Sequence, residues 1–471
     1  MRKFDLIVIG SGPAGISAAV QARQLCRSVA IIERRTAIGG VCLHTGTIPS
    51  KTLREAVLYL TGYRQRTLYG ASYRLKPDLA IEDLTKRLHI TIEHEIEVTR
   101  NQLLRHGVEI FEGTASLRDK HKVVVMNSEN DKTVYEADKI LIATGTRPIQ
   151  PADIPFDNQY ILDSDGILKL QRLPRSMIVV GSGVIGLEYA SLFSALDIRV
   201  TLVDAREKMM PFMDSEIIDE FIHYLRKNHV TLRMGEAVTK IAVEGASSVV
   251  TSLDSGKQIN TELALFAAGR IGCTDALNLD KVGLKADEKH RLKVNKHYQT
   301  SISNIYAAGD VIGFPSLAST SMEQGRLAVC HAFGKKSAGG MKMFPFAIYA
   351  VPEMSMIGQT ENELTKNKIP YYTGKAHLRE TSRGQILGIG EGVLKMLFAE
   401  EGDKLLGVHI LGEGSSELIH IGQAVLAMGG TIDYFLEHVF NYPTLAEAYK
   451  VAALDAWNNR QVVSCPIPEQ Q

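Results

Sequence analysis

The residues with the most definite chemistry are two glycine runs. Gly10-Ser11-Gly12-Pro13-Ala14-Gly15 follows a short apolar stretch (4–9) and opens an alanine-rich helical stretch, and a second apolar run (28–32) ends at Glu33. Gly181-Ser182-Gly183-Val184-Ile185-Gly186 follows 176–180, and 199–203 ends at Asp204. A βαβ unit of this kind holds the diphosphate of a dinucleotide. Two glycines allow the tight turn and the close approach of backbone to phosphate, the third lets the helix pack, and the acid meets ribose hydroxyls. The helix N-terminus adds unpaired N–H groups and a positive dipole. One such run would be weak, because glycine-rich turns are common. Two runs with the same offset of 23 positions from first glycine to acid predict two dinucleotide sites on one chain.

Positioning these sites takes several domains. At 471 residues the length suits about three. The segment 139–143 reads as a buried strand ending in Thr144-Gly145, and Pro148, Pro151 and Pro155 mark a domain crossing. The run 264–269 repeats the strand-then-glycine form before Arg270, and 305–308 ends in Gly309-Asp310, with a helix beginning near Ser319. The chain thus leaves its first domain near Gly145 and returns near Arg270. A small, basic stretch (335–342) reads as a linker. Beyond it come strands at 393–398 and 405–411 and helices around 417–428 and 446–457, an α+β unit without a nucleotide signature. The expected division is 1–148 and 270–340 for the first nucleotide-binding domain, 149–269 for the second, and 341–471 for the last.

Composition excludes several classes of function. Lys plus Arg and Asp plus Glu both number 53, so nothing draws the chain to nucleic acid or an anionic membrane. Apolar content of 45% with 40 glycines fits an α/β protein, and no apolar run reaches the ~18 residues of a bilayer span. Met1-Arg2-Lys3-Phe4-Asp5 passes directly into a strand, leaving no room for a signal peptide. Five widely spaced cysteines (Cys26, Cys42, Cys273, Cys330, Cys465) form neither a metal motif nor a secreted disulfide framework. A cytoplasmic protein without metal is expected.

Between the glycine runs, residues 39–51 read GGVCLHTGTIPSK. The segment resembles the redox-active GGxCxxxGCxPSK of the flavin-dependent disulfide oxidoreductases, the family of dihydrolipoamide dehydrogenase and glutathione reductase. IYAAGD (305–310) is similar to that family's second FAD motif, and GVIGLE (183–188) to its nucleotide motif. The resemblance implies two Rossmann-like domains, for FAD and NAD(P), and a C-terminal α+β dimerisation domain, in at least a homodimer. It makes Lys51 and Glu188 an ion pair beside the flavin, where a cation stabilises the reduced, anionic ring. It gives Asp310 to the ribityl chain. Cofactor-binding residues are then expected at Gly10, Gly12, Pro13, Ala14, Gly15, Glu33, Arg34, Gly39, Gly40, Val41, Cys42, Lys51, Ala115, Thr144, Gly145, Gly181, Gly183, Val184, Ile185, Gly186, Glu188, Asp204, Arg206, Gly269, Asp310 and Ala318, with Lys51 and Glu188 catalytic.

Two departures narrow the chemistry. The second cysteine position of the family is Thr47, and a hydroxyl cannot close a disulfide. Cys42 then reads as a small filler against the flavin, or as a lone reactive thiol if a helix start lowers its pKa from about 8.5. The stretch FNYPTLAE (440–447) resembles the family's HxHPTxxE segment but carries Tyr442 where the thiol base, a histidine, belongs; Glu447 is kept. With ordinary pKa values of about 10 for Tyr and 6.5 for His, about one Tyr in a thousand is a base at pH 7. Dithiol and thiol base are both missing, which leaves hydride transfer between nicotinamide and flavin. GTIPSK with FNYPTLAEAYKVAAL, DSDGIL (163–168), DVIGFPSLAS (310–319) and LIHIGQAV (418–425) resemble the members that pass hydride from NADPH to NAD through FAD. The same parts would also serve an NAD(P)H dehydrogenase for quinones or dyes, or a dihydrolipoamide dehydrogenase relative.

Asp204 suits the ribose hydroxyls of NAD. Facing a 2′-phosphate at ~4 Å it costs about 4 kcal/mol per charge pair at an effective dielectric near 20. Arg206 would offset this with a bidentate phosphate contact.

Overall fold

The computed structural model describes residues 1–245, 248–336, 341 and 343–460. It opens with β1 (Arg2–Ile9), α1 (Pro13–Gln24) and β2 (Val29–Glu33). All five residues of β2 are buried, as in a strand covered on both faces. Then come α2 (Gly40–His44), α3 (Thr47–Leu60), α4 (Ile81–Arg105), β3 (Glu109–Glu112), β4 (Thr114–Leu117), β5 (Lys122–Met126) and β6 (Lys132–Ile142). The sheet order is β3-β2-β1-β6-β5-β4, parallel from β3 to β6 and antiparallel beyond.

The second unit repeats the plan with β7 (Ile161–Asp163), β8 (Ser176–Val180), α5 (Val184–Ala195), β9 (Arg199–Asp204), α6 (Ser215–Lys227) and β10 (Thr231–Met234). An antiparallel meander, β11 (Val238–Glu244), β12 (Ser248–Leu253) and β13 (Gln258–Thr261), precedes β14 (Leu263–Phe266). Its main sheet runs β10-β9-β8-β14-β7, all parallel. The chain then rejoins the first sheet: β15 (Ile305–Ala307) pairs with β6, and α7 (Ala318–Ala332) packs on α1. That contact is close because Gly325 has no side chain; a Cβ there would stand 2.1 Å from the Ala14 carbonyl oxygen.

The last unit is an antiparallel sheet of β16 (Phe346–Ile348), β17 (Met354–Gly358), β18 (Tyr371–His377), β19 (Val393–Ala399) and β20 (Leu405–Leu411), with α8 (Ser415–Ala427) and α9 (Glu447–Arg460). Its order is β16-β17-β20-β19-β18. The sequence reading named β19 and β20 and omitted the other three. β16 and β17 are short, and β18 carries Gly374, a residue that weakens a strand by propensity. The glycine is needed because a Cβ at 374 would lie 2.0 Å from the Ala452 carbonyl oxygen of α9. Most of the stretch 335–342, and Cys465, lie outside the described residues.

A buried ion cluster ties the second unit to the last. Lys395 of β19 is fully buried, with its ammonium 2.9 Å from both Asp214, the N-cap of α6, and Glu216, and in contact with Glu361. Among the described residues no helix is long and apolar enough to cross a membrane.

Candidate active site

Gly10, Gly12, Pro13, Ala14, Glu33, Arg34, Gly40, Val41, Cys42, Ala115, Thr144, Gly145, Asp310 and Ala318 line one cleft between α1, α2 and the strand ends of the first sheet. Its shape follows from the β1–α1 turn. Gly10 has φ +104°, and a Cβ there would meet the Ala143 carbonyl oxygen at 2.4 Å. Gly15 packs behind the turn, where a Cβ would stand 2.0 Å from the Gly10 oxygen. Gly12, by contrast, points its absent Cβ at open space. Gly39 (φ +112°) stands behind the cleft and caps α2.

The second fingerprint has the same construction. A Cβ on Gly181 (φ +107°) would lie 2.6 Å from Ala267 O and one on Gly186 would lie 1.8 Å from Gly181 O, while Gly183 again faces open space. The middle residue of each run adds something the sequence reading missed. Ser11 donates its N–H and hydroxyl to Glu33, at 3.0 and 2.6 Å, and Ser182 does the same to Asp204, at 2.6 and 2.8 Å. The repeated Gly-Ser-Gly was the available signal. Asp204 also accepts from Arg206 Nε at 3.0 Å and Nη2 at 2.7 Å, so Arg206 is paired rather than loose, although half of its side chain is exposed. Burial alone would raise the Asp204 carboxyl, but the Arg206 and Ser182 donors outweigh it and hold the group far below the usual range.

Lys51 on α3 bridges the two units. Its ammonium lies 2.8 Å from each carboxylate oxygen of Glu188 on α5 and 3.2 Å from Ser50 Oγ. Glu188 is buried, and its Oε1 takes a further N–H from Tyr349, at 2.9 Å, in the last unit.

Cys42, in the middle of α2, and Thr47, the first residue of α3, face the same cleft. Cys42 is a free thiol, half-buried, and shares the cleft lining with Thr47. Burial raises its pKa more than Thr47 and Lys51 lower it. The helix start thus does not outweigh burial at this thiol. Tyr442 is 65% exposed and contacts Ser382, and neither residue is in the cleft lining of its own chain.

Residues 4–325 match the pyridine nucleotide-disulphide oxidoreductase family model, and residues 344–453 match that family's dimerisation domain. The chain belongs to the pyridine nucleotide-disulphide oxidoreductase family. The relatives include proteins named soluble pyridine nucleotide transhydrogenase. One from Mycobacterium bovis is 51% identical over 98% of this chain and 99% of its own; one from Photorhabdus laumondii is 43% identical over 97% and 98%. Two solved structures, LpdA from Mycobacterium tuberculosis and the Cu(II) complex of the HOCl-induced flavoprotein disulfide reductase RclA from Escherichia coli, each superpose with a TM-score of 0.87. At 24% identity, over 96% of this chain and 99% of each of theirs, they show the fold.

A pyridine nucleotide-disulphide oxidoreductase is a flavoprotein that uses FAD with nicotinamide nucleotides, and the cleft fits FAD. Gly12 leaves open space at a helix start, as a diphosphate requires. Thr144 Oγ1 is buried in the lining without a hydrogen-bond partner, the mark of a polar atom that meets a ligand. Asp310 is raised by burial against the pull of Arg270, Thr146 and Ser321. Thr114, Cys273 and Ser321 are also in the lining, and no local motif pointed to them.

Proposed function

We propose that this chain passes hydride between NADPH and NAD through FAD, with both nicotinamides using one site in turn and no disulfide taking part. When bound, FAD supplies a two-electron centre that accepts hydride from one nicotinamide and yields it to the other. Lys51 holds a positive charge that Glu188 fixes in place, ready to balance the negative charge that hydride brings to the ring. The second fingerprint, Gly181 to Gly186, holds the nucleotide diphosphate on α5. Asp204 meets ribose hydroxyls, and Arg206 leaves it to meet a 2′-phosphate. The dimerisation domain supports a homodimer.

The observation that carries this reading is Thr47, and not a second thiol, facing the cleft with Cys42 beside an intact Lys51–Glu188 pair. The site keeps the parts for hydride exchange and lacks the partner that a thiol relay needs. The relatives named soluble pyridine nucleotide transhydrogenase support it. The test is an acceptor survey on purified protein: NADPH with an NAD analogue, lipoamide, glutathione disulfide and a quinone. Rapid transfer to the NAD analogue and none to the disulfides is expected. Brisk lipoamide reduction without transfer between nucleotides would overturn the reading.

A further inference from the structure

Residues 348–353 of the last unit reach between α3 and α5, the two helices that carry Lys51 and Glu188, and bind both. Arg54 on α3, itself buried, donates Nε to the Ala350 carbonyl at 3.0 Å. On α5, Ser191 Oγ accepts the Val351 N–H at 2.9 Å and Glu188 Oε1 accepts the Tyr349 N–H at 2.9 Å. The Tyr349 ring lies over the Lys51 ammonium, 5.0 Å from its centroid, within cation–π range. At its far end the phenol meets the Ser416 side chain at the start of α8. Ser416 in turn donates its hydroxyl, at 2.9 Å, to the buried Glu353, which pairs with Arg54 at 3.3 Å. The loop of contacts therefore closes on α3, where Lys51 stands.

We infer that Tyr349 is a positioning residue for the Lys51–Glu188 pair, its N–H fixing the carboxylate and its ring covering the ammonium. A side chain over one face of Lys51 keeps water from that face. The charge then acts through a lower effective dielectric and is felt more strongly at the site. The Ser416–Glu353–Arg54 chain holds the ring in place without touching the pair. The inference rests on the proposed role of Lys51 and adds the residue that sets the strength of its charge.

The experiment measures the two-electron midpoint potential of bound FAD, with kcat and KM for NADPH, in Tyr349→Leu, Tyr349→Phe, Ser416→Ala and Lys51→Met. Tyr349→Leu should disfavour FAD reduction about tenfold, a potential lower by about 30 mV, and lower kcat with KM for NADPH within twofold. Tyr349→Phe keeps the ring but loses the phenol's contact with Ser416, and should shift the potential by no more than Ser416→Ala does. Ser416→Ala should shift the potential the same way but by less, and it carries the test if Tyr349→Leu fails to retain FAD. In the Lys51→Met background, Tyr349→Leu should add nothing. A shift in Lys51→Met with none in Tyr349→Leu or Ser416→Ala would overturn this inference alone, as would a Tyr349→Phe as damaged as Tyr349→Leu. An unmoved potential in Lys51→Met would overturn the role of Lys51 and this inference with it.

Discussion

Lys51 and Glu188, 137 positions apart in the chain, form one ion pair across the boundary between two nucleotide-binding units, with the ammonium 2.8 Å from both carboxylate oxygens. Neither residue explains the other within its own unit. The pair exists only when α3 and α5 are docked, so it reports the relative placement of the two sites as well as the local charge.

Removing the cation should cost turnover, and some stability as well, because Glu188 is left buried with the Tyr349 N–H alone to meet it. Lys51→Met is expected to retain FAD and lower the rate of hydride transfer by about 10²-fold, the usual scale for losing one preorganised electrostatic stabiliser. Stopped-flow reduction by NADPH measures it directly. A variant with less than a threefold loss would show that the pair is a structural tie only.

The cysteine should be dispensable. Cys42→Ser is predicted to keep NAD(P)H oxidation by a dye within about tenfold of wild type, or about 1.4 kcal/mol in the barrier. Thr47→Cys should return an oxidisable pair, because position 47 faces the same cleft as the Cys42 sulfur. Titration of free thiols before and after reduction checks this. A Cys42→Ser enzyme with negligible dye reduction would make Cys42 a working thiol.

Asp204 and Arg206 should set the balance between the two nicotinamides. Arg206→Ala is expected to weaken NADPH by about 1–3 kcal/mol, the scale of a charged hydrogen bond. It should spare NADH, since Asp204 keeps its Ser182 donors. Because Asp204 is held far below the usual carboxylate range, it stays ionised from pH 5 to 8, so any titration of the ratio of the two KM values there should follow the 2′-phosphate, whose second pKa is about 6. Equal losses for both nucleotides in steady-state assays would remove Arg206 as the phosphate contact.

What the sequence carried and what it did not have a common physical cause. Gly10 and Gly181 were legible because a left-handed backbone pressed against a carbonyl tolerates no other residue, so the fold writes itself into residue type. Strands buried on both faces, such as β2, were legible because they read as continuous apolar runs. Tyr349 was not, because its value lies in touching Lys51 and Glu188 from a different unit, and nothing in its local stretch encodes that. β18 was lost because Gly374, placed for contact with α9, contradicts strand propensity.

Lys395 gives a stability prediction. Lys395→Met leaves Asp214 buried opposite Glu361 without its cation, and should destabilise by about 3–5 kcal/mol in urea denaturation. Burial would raise Asp214 and Glu216, but the facing donors, Lys395 among them, outweigh it and both lie below the ordinary range. A depressed folded pKa stabilises fully above the unfolded value of about 4 and is lost as pH falls through the folded value. Wild-type stability should thus drop below about pH 4, and the gap between wild type and variant should narrow there. A gap of under 1 kcal/mol at pH 7 would show that the cluster tolerates the loss of its ammonium.

The central claim is alternation of NADPH and NAD at one site built on Gly181 to Gly186 and facing Glu188. The most direct measurement is an initial-rate study with NADPH and an NAD analogue varied together. Donor and acceptor that use the site in turn give parallel double-reciprocal lines, with each nucleotide inhibiting competitively against the other at high concentration. Intersecting lines would mean that both are bound at once, and would contradict the single-site account.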